Sequence, residues 1–232
     1  MENSPVIKIE KLVKKFPMGK SEFTALNDVE LTLSQGDFAG LIGPSGSGKT
    51  TLLNIVGSLD TPTSGEVRVL GQSIGRLNAR EAASLRKEKL GFIFQSYNLL
   101  AVHTVYENVE FPLLLLNLPA AERKKMVMDA LEWVGLTEKV KSKPPQLSGG
   151  ECQRVAVARA MVKKPSLVLA DEPTANLDAA NSHNILKTME SLNSELKTTF
   201  LFATHDDKVI NYLHRKIFLI DGRIDKVEKI TN

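Results

Sequence analysis

One glycine-rich stretch has the residue types and the spacing of a loop that binds phosphate. It matches the pattern G-x-x-x-x-G-K-[ST] and comprises Gly43, Pro44, Ser45, Gly46, Ser47, Gly48, Lys49 and Thr50, followed by Thr51. Small residues let successive backbone N–H groups face an oxyanion, and a helix beginning near Gly48 adds the positive end of its dipole. Lys49 supplies a charge for the β- and γ-phosphates, and the Thr50 hydroxyl is a ligand for Mg²⁺. The stretch predicts a nucleotide site; the alternative is a glycine-rich turn with an exposed lysine.

Two adjacent carboxylates follow a second apolar run. Residues 167–170 are apolar and lead directly into Asp171 and Glu172. Beside a phosphate-binding loop, the first carboxylate holds Mg²⁺ directly or through its water. Glu172 can then reach a water in line with the γ-phosphate, as a base or as a positioning group. The alternative is that the pair only caps the next helix.

Two further polar residues also end apolar runs. Gln95 follows residues 90–94 and is an uncharged candidate ligand for Mg²⁺ and for the attacking water. His205 follows residues 199–204 and could donate a hydrogen bond to the γ-phosphate and so sense its presence. An ordinary polar strand end and a structural histidine are the respective alternatives.

A second anion site is predicted about a hundred residues after the first. Ser148, Gly149 and Gly150 precede a helix, so they offer a hydroxyl, two unobstructed N–H groups and a helix N-terminus. One nucleotide does not easily account for two such sites on different parts of the chain.

Apolar runs and helical periodicity predict the elements that position these residues. Strands are predicted at 6–12, 28–33, 38–42, 66–70, 90–95, 165–172, 199–206, 216–220 and 223–227, turns at 13–20 and 221–222, and helices after Gly48 and at 78–89, 106–118, 119–134 and 179–196. Short apolar strands that alternate with helices predict a parallel sheet covered on both faces. Its ligands gather at the carboxyl ends of the strands, where Gly43, Gln95, Asp171 and His205 fall.

Composition excludes several classes of protein. A net charge of +3 over 232 residues is too mild to indicate a nucleic-acid partner, and we expect none. The single cysteine, Cys152, cannot form an internal disulfide and is expected to be a small helix-face residue rather than a reactive thiol. The polar start is not typical of a signal peptide. The longest apolar run, 111–118, is far shorter than the ~20 residues of a spanning helix, so we expect the chain not to cross a membrane itself.

In their order along the chain, these motifs resemble the nucleotide-binding subunits of ABC transporters. The matching residues are the phosphate loop 43–50, Gln95 (the Q-loop), 147–151 (the signature), 167–172 (the Walker B strand), 175–178 (the D-loop) and His205 (the switch). The resemblance covers essentially the whole chain. It implies a P-loop NTPase core of RecA-like fold with an antiparallel β-subdomain, formed by 1–95 and 165–232, and a helical subdomain at 96–164 that bears the signature, all within one ABC domain.

The resemblance also implies an ATPase that works as a homodimer with ATP and Mg²⁺. Ser148, Gly149 and Gly150 of one subunit would cap the γ-phosphate held by the other subunit, and Asp178 would lie across the dimer seam. Phe16 matches the aromatic residue that stacks on adenine, where the family more often has tyrosine; the alternative is a hydrophobic core anchor. Catalysis would rest on Lys49, Gln95, Glu172 and His205, and Mg²⁺ would be held by Thr50, Gln95 and Asp171.

Within that family the finer resemblance is to the group that serves lipoprotein release and macrolide export. Stretches 92–100, 107–109, 111–113 and 170–178 carry it. It implies an integral membrane subunit as partner, a position on the cytoplasmic face of the cell membrane through that subunit, and force transmission rather than a channel. Tyr97, Leu99, Leu100 and Val102 would form part of the groove for the partner; the alternative is ordinary core.

Two other functions are considered as alternatives. A soluble ATPase acting on nucleic acid is disfavoured, because such proteins carry long coiled-coil insertions or two fused cassettes. A regulator that binds nucleotide without hydrolysing it is disfavoured by the presence of Lys49, Asp171, Glu172 and His205.

Overall fold

The computed structural model describes residues 5–230; residues 1–4, in the polar start where no signal peptide is expected, and 231–232 lie outside the described part. The strands are β1 (Ile7–Met18), β2 (Ser21–Leu33), β3 (Phe38–Ile42), β4 (Ser64–Val69), β5 (Gln72–Ser73), β6 (Leu90–Ile93), β7 (Leu167–Asp171), β8 (Thr199–Thr204), β9 (Arg215–Ile220) and β10 (Arg223–Lys229). The helices are α1 (Lys49–Val56), α2 (Ala79–Lys89), α3 (Val105–Leu114), α4 (Ala120–Trp133), α5 (Gly149–Met161), α6 (Ala179–Leu196) and α7 (Asp207–Ile210).

The described strands form two sheets. The larger has the order β10-β9-β3-β8-β7-β6 and is parallel except for β10, which pairs antiparallel with β9. The smaller, β2-β1-β4-β5, is antiparallel throughout. The predicted α/β class, with a parallel core sheet and a flanking antiparallel sheet, is confirmed.

The central strands separate two hydrophobic cores because side chains alternate along a strand. Phe38, Phe200 and Phe202 lie on one face of the large sheet and pack in the cluster that includes α5 and α6. Leu41 and Leu201 lie on the other face, in the cluster that includes α1 and the small sheet. Both faces are therefore covered, as continuous apolar strands predict.

The predicted turn at 13–20 is wrong. β1 continues to Met18 and pairs with β2, which begins at Ser21, seven residues before the predicted strand at 28–33. Only Gly19, with φ +63°, and its neighbour turn the chain. Residues 13–16 show no alternation of apolar and polar side chains, so the sequence did not indicate a strand there. The partner strand supplies the backbone hydrogen bonds that make them a strand. Phe16 and Phe23 lie directly opposite each other on this hairpin.

Helices α3, α4 and α5 lie between β6 and β7 and pack on one another. The helix predicted at 106–118 ends at Leu114, two residues after Pro112, which was expected to kink or end it. Asn108, fully buried, donates to the carbonyls of Leu100, His103 and Thr104 and accepts from the Leu100 N–H. That side chain fixes the segment leading from β6 into α3. The division of the chain at 96 and 164 stays a prediction.

The hairpin turn predicted at 221–222 is confirmed. Ile220 pairs with Arg223, and both turn residues have positive φ, +46° and +73°. Among residues 5–230, no helix combines the length and the apolar composition that crossing a lipid bilayer requires.

Candidate functional site

The glycine-rich loop connects β3 to α1 and leaves no room for side chains at two of its glycines. A Cβ at Gly43 would lie 2.1 Å from the carbonyl oxygen of Leu219, and one at Gly48 would lie 2.7 Å from that of Ala25. Gly48 also has φ +102°, a conformation that other residues rarely adopt. The residue types in the loop are therefore dictated by its backbone path around the start of α1.

Lys49 folds back over this loop. It is 8% exposed, and its ammonium donates to the carbonyl oxygens of Gly43 at 2.8 Å and Pro44 at 2.9 Å. The buried Ser47 hydroxyl in the same loop has no hydrogen-bond partner within residues 5–230. A held cation and an unpaired buried hydroxyl beside backbone N–H groups suit a phosphate oxygen, so the loop fits the group that its sequence predicts.

A cleft of about 400 Å³ opens beside the loop and brings together most of the predicted site. Its lining consists of Phe23, Ala25, Ser45, Gly46, Gly48, Lys49, Thr50, Thr51, Gln95, Asp171, Glu172 and His205. Gln95 follows β6, Asp171 ends β7 and His205 follows β8. The ends of three parallel strands therefore converge on the phosphate loop, as expected for a sheet of this kind.

Thr50 and Asp171 form the candidate cation site. The Thr50 hydroxyl donates to the Asp171 carboxylate, with Oγ1–Oδ2 at 3.1 Å. Burial raises the pKa of Asp171 above its ordinary value, and the hydrogen bond from Thr50 opposes that rise. A hydroxyl and a carboxylate on one wall are the hard oxygen donors that Mg²⁺ prefers, so the donor set fits this ion.

Glu172 is held by the residues that end β8. Its Oε1 lies 2.6 Å from Nδ1 of His205, and its Oε2 accepts a hydrogen bond from Thr204 at 3.1 Å. Glu172 itself has φ +45°, so the backbone turns sharply directly after β7. Such a conformation at a residue that is not glycine costs energy and is typical of functional sites.

The Q-loop and the D-loop contact each other at the cleft. Gln95 lines the cleft, and its backbone carbonyl accepts a hydrogen bond of 2.9 Å from the Asn176 side chain. Asp178 does not line the cleft; its carboxylate caps α6 through the backbone N–H of Asn181. The hydrogen bonds from Asn181 hold the pKa of Asp178 below its ordinary value, and the carboxylate lies at the N-terminal end of α6, where the helix dipole favours negative charge.

The structure does not bring the second predicted anion site into this cleft. Ser148 caps the N-terminus of α5, and Gly149 and Gly150 form its first turn, outside the lining of the cleft. A Cβ at Gly150 would lie 2.5 Å from Oδ1 of Asn181 in α6. A Cβ at Gly149 would lie 3.8 Å from the carbonyl oxygen of Asn176, so the signature adjoins the D-loop as well, outside the cleft beside the phosphate loop of the same chain. Cys152, buried in this helix, has a thiol pKa raised by burial, as expected for an inert cysteine.

The aromatic wall of the cleft comes from Phe23 rather than from Phe16. The two residues are directly opposite on β1 and β2, so their side chains project from the same face of the hairpin. Phe16 is 37% exposed, with the Lys14 ammonium 4.8 Å from its ring centroid, so the alternative of a core anchor is wrong. Phe23, 52% exposed, was missed because no strand was predicted at 21–27, so its pairing with Phe16 could not be foreseen.

An apolar groove of about 480 Å³ lies on another surface, between α2, β6, α3 and α5. Its apolar lining includes Leu59, Phe92, Phe94, Phe111, Pro112 and Leu115, and its charged lining consists of Arg86, Lys87, Arg159 and Lys163. None of the four residues expected to line a partner groove, Tyr97, Leu99, Leu100 and Val102, lines this one. Leu99 packs against the helical core instead, whereas Leu100 and Val102 are exposed.

Comparison with known proteins identifies the family. The family model for "ABC transporter" matches residues 26–175. The chain is 44% identical over 222 residues to the lipoprotein-releasing system ATP-binding protein LolD of Pseudoalteromonas translucida, covering 96% of each protein. It is 43% identical over 221 residues to the macrolide export ATP-binding/permease protein MacB 1/2 of Paracoccus denitrificans, of which it spans only 33%.

Solved structures agree with this assignment. The dimeric structure of MJ0796, a bacterial ABC transporter cassette, superposes with a TM-score of 0.90 at 39% identity, over 97% of this chain and 99% of that one. A dimeric post-hydrolysis state of the same cassette, bound to ADP and Pi, matches equally well. The fold, the converging motifs and these relatives lead to one conclusion: the chain belongs to the ABC transporter family, as an ATP-binding subunit with the ATPase fold of that family.

Proposed function

We propose that two copies of this chain close face to face on two ATP molecules and that hydrolysis lets them separate. The observation that carries the proposal is that the signature, Ser148–Gly150, lies outside the cleft formed by the phosphate loop of its own chain. A second copy can supply that helix N-terminus to the γ-phosphate, where its N–H groups and dipole stabilise negative charge. The dimeric structures of the similar cassette MJ0796 support the same arrangement.

Within each cleft, binding and catalysis are assigned to different residues. The loop N–H groups, the Ser47 hydroxyl and the Lys49 ammonium bind the phosphates, and an aromatic ring on the β1–β2 hairpin stacks on the base. Thr50, Asp171 and the amide oxygen of Gln95 would hold Mg²⁺, and the ion would supply positive charge to offset that of the phosphates. No group of three or more His, Cys, Asp or Glu side chains within the described residues is arranged to hold a metal by itself.

Glu172 is assigned to the attacking water. Its carboxylate accepts the water's proton or orients the water in line with the γ-phosphate. His205 and Thr204 each donate to one of its oxygens, so the carboxylate has a fixed position before water arrives. His205 is largely exposed at the cleft and contributes a further contact to the γ-phosphate. Together these residues favour hydrolysis over simple nucleotide sensing.

We further propose that the dimer drives an integral membrane subunit of the lipoprotein-release or macrolide-export kind, on the cytoplasmic face of the membrane. The similarity to LolD and MacB supports this assignment, as does the exposed apolar groove, whose rim includes Phe111 and Leu115 at 46% and 52% exposure. An exposed apolar surface of this kind is typical of a docking site. The chain would then be held at the membrane by its contact with that subunit.

The test of the dimer uses a variant that binds ATP without hydrolysing it. Glu172→Gln should form a dimer with MgATP in size-exclusion chromatography with light scattering, and should remain a monomer with MgADP. Ser148→Arg added to that variant should abolish the dimer while the Kd for MgATP of the single chain changes less than threefold. A Glu172→Gln protein that stays monomeric in saturating MgATP, alone and with its membrane subunit, would overturn the proposal.

A further inference from the structure

A fully buried glutamine connects the helix that begins with the signature to the turn that carries Glu172. Gln153 of α5 is 0% exposed, and its side-chain nitrogen, Nε2, donates to the carbonyl oxygen of Pro173 at 2.6 Å. Pro173 is itself buried and directly follows Glu172. One hydrogen bond therefore joins α5 to the residue next to the carboxylate proposed to act on water.

Packing alone does not account for a glutamine at this position. Within residues 5–230, the side-chain oxygen of Gln153, Oε1, is buried and has no hydrogen-bond partner. A buried polar atom without a partner is unfavourable, so its presence calls for an explanation. Methionine has a similar length and would fill the same space without that cost. The hydrogen bond from Nε2 to Pro173 is what glutamine adds here.

The turn after β7 needs such support because its backbone is strained. Glu172 has φ +45°, although the residue before a proline is sterically driven to extended conformations. Proline fixes its own φ, so the direction of the Pro173 carbonyl depends on ψ, and Gln153 holds that carbonyl. On the other side of the turn, the buried Thr174 hydroxyl donates to the Asp206 carboxylate at 3.1 Å. The turn is thus held from α5 and from the end of β8.

We propose that Gln153 is a positioning residue for ATP hydrolysis, because its hydrogen bond fixes the turn from which the Glu172 carboxylate reaches the attacking water. The inference rests on the proposed function, in which Glu172 accepts the water's proton or orients the water. Gln153 lies outside the lining of the cleft, so it acts through Pro173 and not on the nucleotide. Its loss should therefore slow hydrolysis without weakening nucleotide binding, since a small displacement of a catalytic group lowers a rate by up to about 10²-fold.

The experiment separates kcat from KM in the full chain. Gln153→Met keeps the length of the side chain and removes the donor. Its kcat for MgATP hydrolysis should fall about tenfold or more, whereas KM should stay within about twofold. Gln153→Asn keeps an amide but is one carbon shorter, so the hydrogen bond of 2.6 Å is lost, and the same split is expected. Thermal unfolding of both variants verifies that the fold is intact.

Asn193→Leu is the matched control for losing a buried amide. Asn193 of α6 is 6% exposed and donates to the carbonyls of Gly36 and Thr198, outside the lining of the cleft. Its replacement should lower the Tm, as Gln153→Met does, while kcat stays within about twofold of the native value. A glutamine with a merely structural role would behave like this control.

Two further measurements locate the effect at Glu172. In the Glu172→Gln background, Gln153→Met should cause no further loss of the residual rate measured with radiolabelled ATP, and the MgATP dimer should still form. In the nucleotide-free protein, hydrogen–deuterium exchange of residues 172–178 should be faster in Gln153→Met and unchanged in Asn193→Leu.

The following results would overturn the inference. A kcat within twofold of the native value in both folded Gln153 variants means that the hydrogen bond does not position the carboxylate. A further tenfold loss in the Glu172→Gln background, or a raised KM with loss of the dimer, means that Gln153 acts on another step. Full activity of Glu172→Gln itself would instead contradict the proposed function, so the two failures are distinguishable.

Discussion

The imidazole Nδ1 of His205 lies 2.6 Å from Oε1 of Glu172, so the end of β8 and the residue after β7 share one hydrogen bond across the cleft. Thr204 donates to the other oxygen of the same carboxylate at 3.1 Å. Glu172 is thus oriented from two sides by neighbouring residues of a single strand end. A substitution of His205 should therefore alter the position of the Glu172 carboxylate, which is proposed to act on water.

This pairing predicts that Glu172 and His205 contribute to one step. Glu172→Gln should lower the rate of phosphate release by about 10²- to 10⁴-fold, the usual contribution of a general base. His205→Ala should also lower it, and the double variant should be no slower than Glu172→Gln alone, because residues that act as a unit are not additive. His183→Ala removes another exposed histidine outside the cleft and is the control. Multiplicative effects would show that the two residues act independently.

The raised pKa of Asp171 predicts that this carboxylate lowers the stability of the fold, although ATP hydrolysis requires it. Its folded-state pKa lies above the unfolded one, so its contribution to stability is present at low pH and is lost as pH rises through the folded value. The half-buried carboxylate therefore contributes least to stability at neutral and higher pH, where Asp171→Asn should raise the Tm of the nucleotide-free protein. That gain should shrink toward pH 4.5.

The same substitution should abolish Mg²⁺-dependent ATP hydrolysis, because an amide is a poor replacement for a carboxylate ligand. Differential scanning fluorimetry in EDTA between pH 4.5 and 8 measures the stability, and phosphate release measures the activity. A lower Tm of Asp171→Asn at every pH would contradict the prediction.

The position of Phe23 predicts that it contributes to nucleotide affinity. Phe23→Ala, made in the Glu172→Gln background, should raise the Kd for MgATP about fivefold or more, since stacking of an aromatic ring on a base contributes about 1–3 kcal/mol. Phe16→Ala should have the smaller effect, because only Phe23 lines the cleft. Fluorescence titration with an ATP analogue measures both. Phe111→Ala, an exposed ring in the apolar groove, should leave the Kd unchanged.

The lowered pKa of Lys163 predicts that the stability of the folded protein changes with pH above neutrality. Its folded-state pKa of about 8 lies below the ordinary value of 10.5, so the unfolded chain binds more protons between these values and the folded state gains stability as pH rises. Relative to Lys163→Met, the free energy of unfolding of the native protein should increase by about 1–2 kcal/mol from pH 7.5 to 9.5. Urea unfolding at the two pH values tests this. Lys124→Met should show no such change.

Local patterns were sufficient to predict the glycine-rich loop with its flanking elements and much of the fold. The strand, loop and helix around Gly43–Thr50 depend on neighbours in sequence, and so do the helix Ala179–Leu196 and the carboxylates after β7. Each of these can be recognised because the local backbone conformation determines which residue types occur and at what spacing.

Features that depend on distant parts of the chain could not be predicted in the same way. The extension of β1 to Met18 requires its partner β2, and the lining of the cleft by Phe23 requires the twist of that hairpin. The groove combines residues of four elements and of the segments between them, so its lining could not be found from periodicity.

Arg159 is hydrogen-bonded to the segment that follows Gln95 and stabilises its backbone conformation. Tyr97 and Asn98 both have left-handed backbone, with φ +59° and +48°, and the guanidinium holds both of their carbonyls. For a residue such as tyrosine that conformation stores about 1–2 kcal/mol. Arg159 therefore holds this strained segment in place at one end. At the other end, the hydrogen bond from the Asn176 side chain to the Gln95 carbonyl fixes it. Loss of the Arg159 guanidinium would free both carbonyls, so the segment would relax and the position of Gln95, which lines the cleft, would change with it.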